Sequence, residues 1–503
     1  MTSAARAGEA PRLGFPTKLA YAVGSTATNL KLRALSTFLV IFYNQVVGLP
    51  PAMVGSILAI ALLFDALLDP ILGQISDNVR SRWGRRHPFM LAAALPYAVS
   101  FFLLWNPPMG WSDQALGLYL MVLILSVRFF DTFFELPHQA LAPELAKGYD
   151  DRTNLLALRH FFLVAGGLGM TIMAYQVFLK ERPDGTGGVL ARDGYFAYSL
   201  TGAIIIFVTI VTSVFGTAHR IPYLAEPPKR TITLKGMALE MFHTLNNRSF
   251  IAMALASMFV AVGVGALNGL EIYFGLYFWE LKQVQLAGLA TMSVTGGFIG
   301  VFLAPVVGKW LGKKWGAVAA FVAAVGVHIT PVSLRLLGLA PANGTPELIW
   351  LLYGEEIVNA TLAGVIAILL ASLVADVVED AEVKTGRRSE GLLLSANNLL
   401  RKAVSSGGVL VATTVLTFIG FPDKAERGEV SPEVLRNLGL AYIPMIVGFY
   451  AVGIGLISTY TINRKKHLEN LATLQARDAA GEAAAAEAGP GVGSGEIAQE
   501  KPA

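Results

Sequence analysis

No cysteine occurs among the 503 residues of this chain, which excludes disulfides, thiolate metal sites and cysteine nucleophiles. Charged residues are also scarce. They make up 15% of the chain, whereas a typical soluble domain carries about 25%. Hydrophobic residues supply 54%, and the mean hydropathy is +0.56. A chain this apolar predicts an integral membrane protein surrounded by a lipid bilayer.

Motifs for catalysis are missing as well. The chain has no P-loop, no H-E-x-x-H pair and no G-x-S-x-G turn, which argues against an ATP-driven pump and leaves no constellation for an enzyme. We therefore expect no enzyme activity and no cofactor. The net charge of +4 comes from basic residues spread over short loops, which does not predict nucleic-acid binding. The first 16 residues lack an apolar core, so we expect no cleavable signal peptide.

The hydrophobic residues fall into twelve runs, each long enough to span a bilayer as a helix of about 20 residues. We predict an all-α integral membrane fold of two pseudo-symmetric six-helix bundles, residues 1–216 and 250–463. A cytoplasmic linker (217–249) joins them, and a disordered tail (464–503) follows. The runs are 19–45, 52–76, 87–105, 115–142, 156–179, 196–216, 250–280, 286–311, 315–338, 348–375, 392–420 and 437–462.

Basic residues mark one side of the membrane. The loops after the predicted helices two, four, six, eight and ten each contain lysine or arginine, whereas the loops after helices one and three contain neither. By the positive-inside rule, both termini are cytoplasmic. We expect the protein in the plasma membrane, that is, the bacterial inner membrane.

Two carboxylates in the second apolar run carry the main functional prediction. Asp65 and Asp69 are one helical turn apart and project from one face. A carboxylate at bilayer depth costs roughly 2.5 to 3.5 kcal/mol, so the pair needs a cation, a proton or a basic partner. The Pro-x-x-Gly pattern of this run recurs in the second half, but Gly300 and Ala304 replace the acids. We predict a cation site for Na⁺ or H⁺; the alternative is a structural ion pair.

Other charges lie within apolar runs. In the fourth run, Arg128, Asp131 and Glu135 share one stripe, which predicts an Arg128–Asp131 pair and leaves Glu135 for another partner. In the first run, Lys31 and Arg33 are two positions apart, so at most one of them faces a central cavity. That residue binds an anionic substrate, or one of the two neutralises a neighbouring acid.

Aromatic residues end the seventh run. Tyr273 and Tyr277 are one turn apart, with Trp279 beyond them. Their rings suit a sugar, but Tyr and Trp near a helix end more often anchor a helix at the membrane interface. We favour the anchor interpretation and keep Tyr273 as a candidate substrate contact.

The loop after the second run resembles a signature of the major facilitator superfamily. Gly73-x-x-x-Asp77 is followed by the sequence RSRWGRRHP. The resemblance implies that its charged residues close the cytoplasmic side of the transporter. The implied gating residues are Asp77, Arg82, Arg85 and Arg86.

Within that superfamily, the chain resembles the glycoside-pentoside-hexuronide:cation symporters over essentially all twelve helices. The most specific motifs are Asp65-x-x-x-Asp69-Pro70, the RTNLLALR run that ends at Arg159, and DVVEDAEVKTGRRSEG followed by Lys402. The resemblance implies a cation site at Asp65, Asp69, Thr132 and Glu135. Glu135 stands at the junction with the substrate site, where Arg159 and Lys402 are implied contacts.

The chain departs from this family at the sugar site. Ser25 stands where the family has an aspartate, and Gln139 where it has a tryptophan. Together with Asp131 of the helix-four stripe, both remain candidate substrate residues.

We predict a cation-coupled secondary symporter of a sugar, glycoside or uronide that works by alternating access, as a monomer with a small-molecule substrate. One alternative is a transporter of lysolipids or other amphipaths, with a lateral opening and an apolar cavity. A membrane sensor that transports nothing is a further alternative.

Overall fold

The computed structural model describes residues 13–79, 81–146, 149–181, 187–224, 248–385, 407–425, 428–460, 469–470 and 472–473. Helices dominate these ranges, because a chain in lipid must satisfy its backbone hydrogen bonds within each segment. Serine side chains cap two of the helices: Ser112 accepts from the Ala115 N–H, and Ser431 accepts from the Val434 N–H.

Six membrane-crossing segments form the N-terminal half. The first is broken at Gly24 into two helices and ends in a π turn, and the fifth also ends in a π turn. The elements are α1 (Phe15–Val23), α2 (Ser25–Ile41) with the π turn Phe42–Val47, α3 (Pro51–Asn78), α4 (His87–Leu104), α5 (Asp113–Leu145), α6 (Tyr149–Met173) with the π turn Ala174–Phe178, and α7 (Asp193–Ala218).

The C-terminal half repeats this arrangement. Its first segment again ends in a π turn, at the place that matches the π turn after α2. The elements are α8 (Arg248–Tyr273) with the π turn Phe274–Phe278, α9 (Gln283–Leu311), α10 (Lys313–Leu336), α11 (Pro346–Thr385), α12 (Gly407–Phe418) and α13 (Pro432–Ser458).

The predicted all-α fold with twelve spans is confirmed. In the described residues, ten helices are long and apolar enough to cross a membrane, and the broken first segment and the shorter α12 complete the set. The bounds differ mainly at α11, which continues to Thr385. Most of the predicted linker and tail lies outside the described residues, although 469–470 and 472–473 are helical.

Gly24 lets the first segment pack closely against two others. A β-carbon at this position would come within 2.9 Å of His138 Nε2 on α5 and of Ser213 Cβ on α7. Only glycine leaves room for this approach. Tyr21, one turn earlier, stacks on His138 with ring centroids 4.3 Å apart and donates to the His138 carbonyl.

The two halves contact each other through polar groups at one end of the molecule. Asn44 Nδ2 donates to Asp423 Oδ1 at 2.7 Å, and the Tyr273 hydroxyl donates to Asn44 Oδ1 at 2.9 Å. The Ala425 N–H donates to Gln45 Oε1 at 2.8 Å. We call this region the closed end; it comprises the π turns Phe42–Val47 and Phe274–Phe278 and residues 421–425.

Candidate functional site

A cavity of about 470 Å³ lies between the two halves. From the N-terminal half, α2 contributes Arg33 and Thr37, while α6 and its π turn contribute Thr171 and Tyr175. From the C-terminal half, α8, α9, α10, α11 and α13 form the remaining wall. The volume fits a small-molecule ligand, since such sites typically measure about 300 to 1,000 Å³.

The wall from the C-terminal half carries three carboxylates. Glu271 projects from α8, and Glu355 and Glu356 project from α11. His328 on α10 places Nδ1 at 3.5 Å from Glu355 Oε1. Arg33, across the cavity on α2, acts electrostatically on Glu271 and Glu356. Carboxylates at membrane depth are costly and mark binding sites or ion paths.

Amide and aromatic side chains complete this wall. Asn268 and Asn359 offer donors and acceptors, and Trp279, Tyr442 and Tyr450 offer ring faces. Carboxylates and amides together can hydrogen-bond a ligand rich in hydroxyl groups, while the rings cover its apolar face. The cavity is thus chemically suited to a hydrophilic ligand.

Sequence reasoning missed the three glutamates. The comparison of the two halves covered only the acids of the second apolar run. The acids of the seventh and tenth runs, which form α8 and α11, were not considered. A usable signal was present: Glu355 and Glu356 are adjacent inside a long apolar run, in the sequence YGEEIVNA. Ionisable residues inside such a run indicate a functional site.

The predicted cation site is partly assembled. Asp65 is buried on α3, and its Oδ1 accepts a hydrogen bond from Thr132 Oγ1 on α5 at 3.1 Å. Asp69 lies one turn further along α3 and is half-buried. Glu135 is also half-buried and accepts from Gln139 Nε2 at 2.5 Å. The structure therefore joins Asp65 to Thr132 and places Glu135 one turn away from Thr132.

Arg128 does not form the predicted hydrogen-bonded pair with Asp131. Its Nη1 donates instead to Asp65 Oδ2 at 3.1 Å, because α5 packs against α3 and brings the two side chains together. Asp131 is held by two other groups. Lys31 forms an ion pair with it, and the Tyr97 hydroxyl donates to its Oδ1 at 2.8 Å.

These contacts show which of the two basic residues on α2 faces the cavity. Lys31 is buried against Asp131, whereas Arg33 lines the cavity. The prediction that at most one of the two faces the cavity is confirmed. Asp131, a candidate substrate residue, lies in an ion pair inside the N-terminal half and is not part of the cavity wall.

The other substrate candidates lie in different places. Ser25 is buried, and its hydroxyl has no hydrogen-bond partner. Gln139 is exposed, and Arg159 is half-buried and acts electrostatically on Tyr21 and His138. None of the three lines the cavity. Lys402 lies outside the described residues.

Tyr273 and Tyr277 belong to the closed end. Tyr273 is 0% exposed and Tyr277 is 2% exposed, so the interpretation as membrane-interface anchors is wrong. The Tyr277 hydroxyl lies 3.2 Å from Gln45 Oε1 and 3.0 Å from the Ala425 carbonyl oxygen. Both phenols are used in contacts between the halves.

Two of the four predicted gating residues bind one carboxylate. Arg85 Nη2 donates to Glu144 Oε1 at 2.5 Å, and Arg86 Nη2 donates to the same oxygen at 3.3 Å. Arg82 is exposed, and the side chain of Asp77 lies outside the described residues. Lys313 and Asp376 form a corresponding pair in the other half, 2.6 Å apart. Sequence reasoning missed Glu144.

Comparisons with known proteins agree with this architecture. A family model described as MFS/sugar transport protein matches residues 20–464. The chain is 25% identical to the isoprimeverose transporter of Lactiplantibacillus pentosus, over 88% of this chain and 87% of that protein. It is 24% identical to a putative glycoside/cation symporter of Escherichia coli (strain K12), over 88% and 91%.

The chain belongs to the glycoside-pentoside-hexuronide:cation symporter family of the major facilitator superfamily. The predicted family is therefore confirmed. A solved structure supports the fold. The chain resembles a bacterial homologue of the human lysosomal transporter Spinster, in an inward-facing unoccupied conformation, with a TM-score of 0.62, 14% identity and coverage of 90% and 97%.

As a member of this symporter family, the protein is an integral membrane transporter, a secondary symporter of a sugar or glycoside with a small-molecule substrate. The symporter's two polar regions are distinct. The central cavity has its carboxylates on the C-terminal half, whereas the Asp65 region lies within the N-terminal half. Among the described side chains, no three His, Asp or Glu residues converge as a metal-binding group.

Proposed function

We propose that this symporter binds its sugar or glycoside in the central cavity and binds Na⁺ or H⁺ at Asp65, Asp69, Thr132 and Glu135. The cavity carries the proposal: it places Arg33 of one half opposite Glu271 and Glu356 of the other. A hydroxyl-rich substrate that contacts both walls would link the halves. Binding in the cavity would thereby bias their relative movement.

The coupling ion acts on the N-terminal half. Asp65 on α3 and Thr132 on α5 already touch, and hard oxygen ligands of this kind suit Na⁺, while a carboxylate equally accepts a proton. Binding of the cation to these acids between α3 and α5 stabilises the substrate-binding state. Two linked sites raise each other's affinity, typically by about 1 to 3 kcal/mol.

The direction of opening follows from the basic loops. The loop that contains Arg85 and Arg86 joins the ends of α3 and α4 that lie away from the closed end. If the positive-inside rule holds, the closed end is periplasmic, both termini are cytoplasmic, and the structure represents an inward-facing state. We place the protein in the bacterial inner membrane as a monomer without enzyme activity or cofactor.

The cavity also bears on the choice of substrate. An amphipath carrier requires an apolar cavity, whereas here Glu271, Glu355, Glu356, His328 and Arg33 line the wall. Burying a lipid chain against so many polar groups would be unfavourable. A hydrophilic substrate therefore fits better than a lysolipid.

The test is uptake into proteoliposomes of a panel of glycosides and uronides, with a lysolipid as the amphipath, under imposed Na⁺ or proton gradients. We expect a glycoside or uronide to accumulate only with a cation gradient. The Asp65→Asn variant should lose this stimulation while its expression is unchanged. Retained stimulation in Asp65→Asn would mean that Asp65 serves a structural ion pair, and uptake of the lysolipid alone would overturn the substrate proposal.

A further inference from the structure

Arg128 occupies the neighbourhood in which the coupling cation is expected. Its guanidinium donates to Asp65 Oδ2 at 3.1 Å, and Thr132 Oγ1 donates to Asp65 Oδ1 at 3.1 Å. Each oxygen of this carboxylate is thus bound by a donor from α5. A cation that ligates Asp65 through Oδ2 meets a positive charge already in contact with that oxygen.

The guanidinium of Arg128 is only partly satisfied. The side chain is buried, and its Nε has no hydrogen-bond partner. A guanidinium has five N–H donors, and an unmade hydrogen bond in a buried site is unfavourable. Arg128 is therefore not held by a complete set of contacts.

A second carboxylate lies within electrostatic range of Arg128. Asp131, one turn further along α5, also acts on the guanidinium. Asp131 itself is fixed by Lys31 and by the Tyr97 hydroxyl. An arginine that leaves Asp65 would remain beside the Asp131 carboxylate, which it would share with Lys31.

We propose that Arg128 is a built-in competitor of the coupling cation, whose guanidinium neutralises Asp65 in the ion-free carrier and must move aside when the ion binds. This inference rests on the proposed function, which makes Asp65 a ligand of the ion. Arg128 acts on the cation through the Asp65 carboxylate. It keeps the ion-free site neutral and lowers the affinity for the cation.

The test is the Arg128→Gln variant, which keeps a polar side chain with an N–H₂ donor and removes the charge. The quantity measured is the concentration of the driving cation, Na⁺ or proton, that gives half-maximal uptake. We expect it to fall at least tenfold. A structural or positioning role predicts the opposite sign, because loss of the pair would disorder the site and raise this concentration. An unchanged or higher value overturns the proposal.

A second readout does not depend on transport. Titration of the purified variant with the cation should raise its melting temperature, since a ligand that binds only the folded state stabilises it. This rise should begin at lower concentration in Arg128→Gln than in the unmodified protein. Arg220→Gln serves as the matched control: Arg220 is also buried in the N-terminal half, but it stacks over Tyr223 with 5.6 Å to the ring centroid. It should leave the half-maximal concentration unchanged.

The two proposals fail in different ways. If Asp65→Asn abolishes cation stimulation but Arg128→Gln leaves the half-maximal concentration unchanged, only the competitor role is refuted. If neither Na⁺ nor a proton gradient stimulates either the unmodified protein or Arg128→Gln, then both the cation site and the competitor role are refuted.

Discussion

Gln45 is the side chain at the closed end whose removal should shift the carrier between its conformations. It lies in the π turn after α2 and reaches across to the C-terminal half. Its Nε2 donates to the Pro422 carbonyl oxygen at 3.1 Å, and its Oε1 accepts from the Ala425 N–H at 2.8 Å. The Tyr277 hydroxyl is shared between Gln45 Oε1 and the Ala425 carbonyl. Gln45→Ala deletes these links and leaves the fold of each half intact.

The magnitude follows from the hydrogen bonds. Gln45 makes two hydrogen bonds to the other half that its removal deletes, one to the Pro422 carbonyl oxygen and one from the Ala425 N–H. Each is worth about 1 kcal/mol net. Tyr277 keeps its contact with Ala425, so we count nothing for it. Gln45→Ala therefore destabilises the conformation in which the closed end is intact by about 2 kcal/mol, relative to the conformation in which this end is open. This corresponds to a roughly 30-fold shift of the conformational equilibrium.

The absence of cysteine makes this shift easy to measure. Spin labels attached at Met109→Cys and Leu339→Cys would report the distance between the halves, since both positions are exposed, at 78% and 70%, in loops near the closed end. We expect Gln45→Ala to add a population with a longer distance between the two spin labels, measured by double electron–electron resonance. An unchanged distance distribution would refute the view that these bonds hold the end closed.

Asn343→Ala is the matched control for this experiment. Asn343 also carries a primary amide at the same end, and it bonds to Arg335 and to the Phe278 carbonyl oxygen. Both partners lie in its own half. Its removal should therefore leave the distance between the halves unchanged. A shift as large as that of Gln45→Ala would show that any lost amide at this end loosens the structure.

Two further predictions concern charges in each half. Lys31→Met leaves Asp131 buried without its cation, so the free energy of unfolding in detergent should fall by about 3 to 5 kcal/mol. Lys31→Met combined with Asp131→Leu should recover most of this stability. If the double variant recovers none, the lost ion pair is not the cause. Glu271→Gln should raise the KM for the transported sugar about tenfold or more with little change in kcat, since a bond to a charged group is worth about 1.5 to 3 kcal/mol. The exposed Glu347→Gln should change neither constant, and an unaffected KM in Glu271→Gln would exclude Glu271 from substrate binding.

Hydropathy alone was enough to predict the fold. In the described residues, ten apolar runs became helices long enough to cross a membrane, and the other two became the broken first segment and α12. The length of a span and the need to satisfy its backbone are properties of each segment by itself. The details at segment ends were not predictable. The close packing at Gly24 involves His138 and Ser213 from distant helices, and α11 extends to Thr385 through a polar stretch that a hydropathy window excludes.

The pairing of charges was the harder problem. Helical spacing correctly put Arg128 and Asp131 on one stripe, but spacing within one helix says nothing about which neighbouring helix packs there. In the folded protein, Arg128 forms an ion pair with Asp65, and Lys31 forms an ion pair with Asp131. Both pairs join residues more than 60 positions apart, so no local rule identifies them.

The distribution of these charges between the halves suggests how the work is divided. In the N-terminal half, two ion pairs within the half join Lys31 to Asp131 and Arg128 to Asp65, so these four charges are balanced before any ligand arrives. In the C-terminal half, Glu271, Glu355 and Glu356 face the cavity, and among the described residues Arg33 acts on Glu271 and Glu356 from across the gap while His328 lies beside Glu355. A single added cation can exchange with Arg128 as the partner of Asp65. The glutamates of the cavity wall gain most from a ligand that supplies hydrogen-bond donors, as the hydroxyl groups of a sugar do.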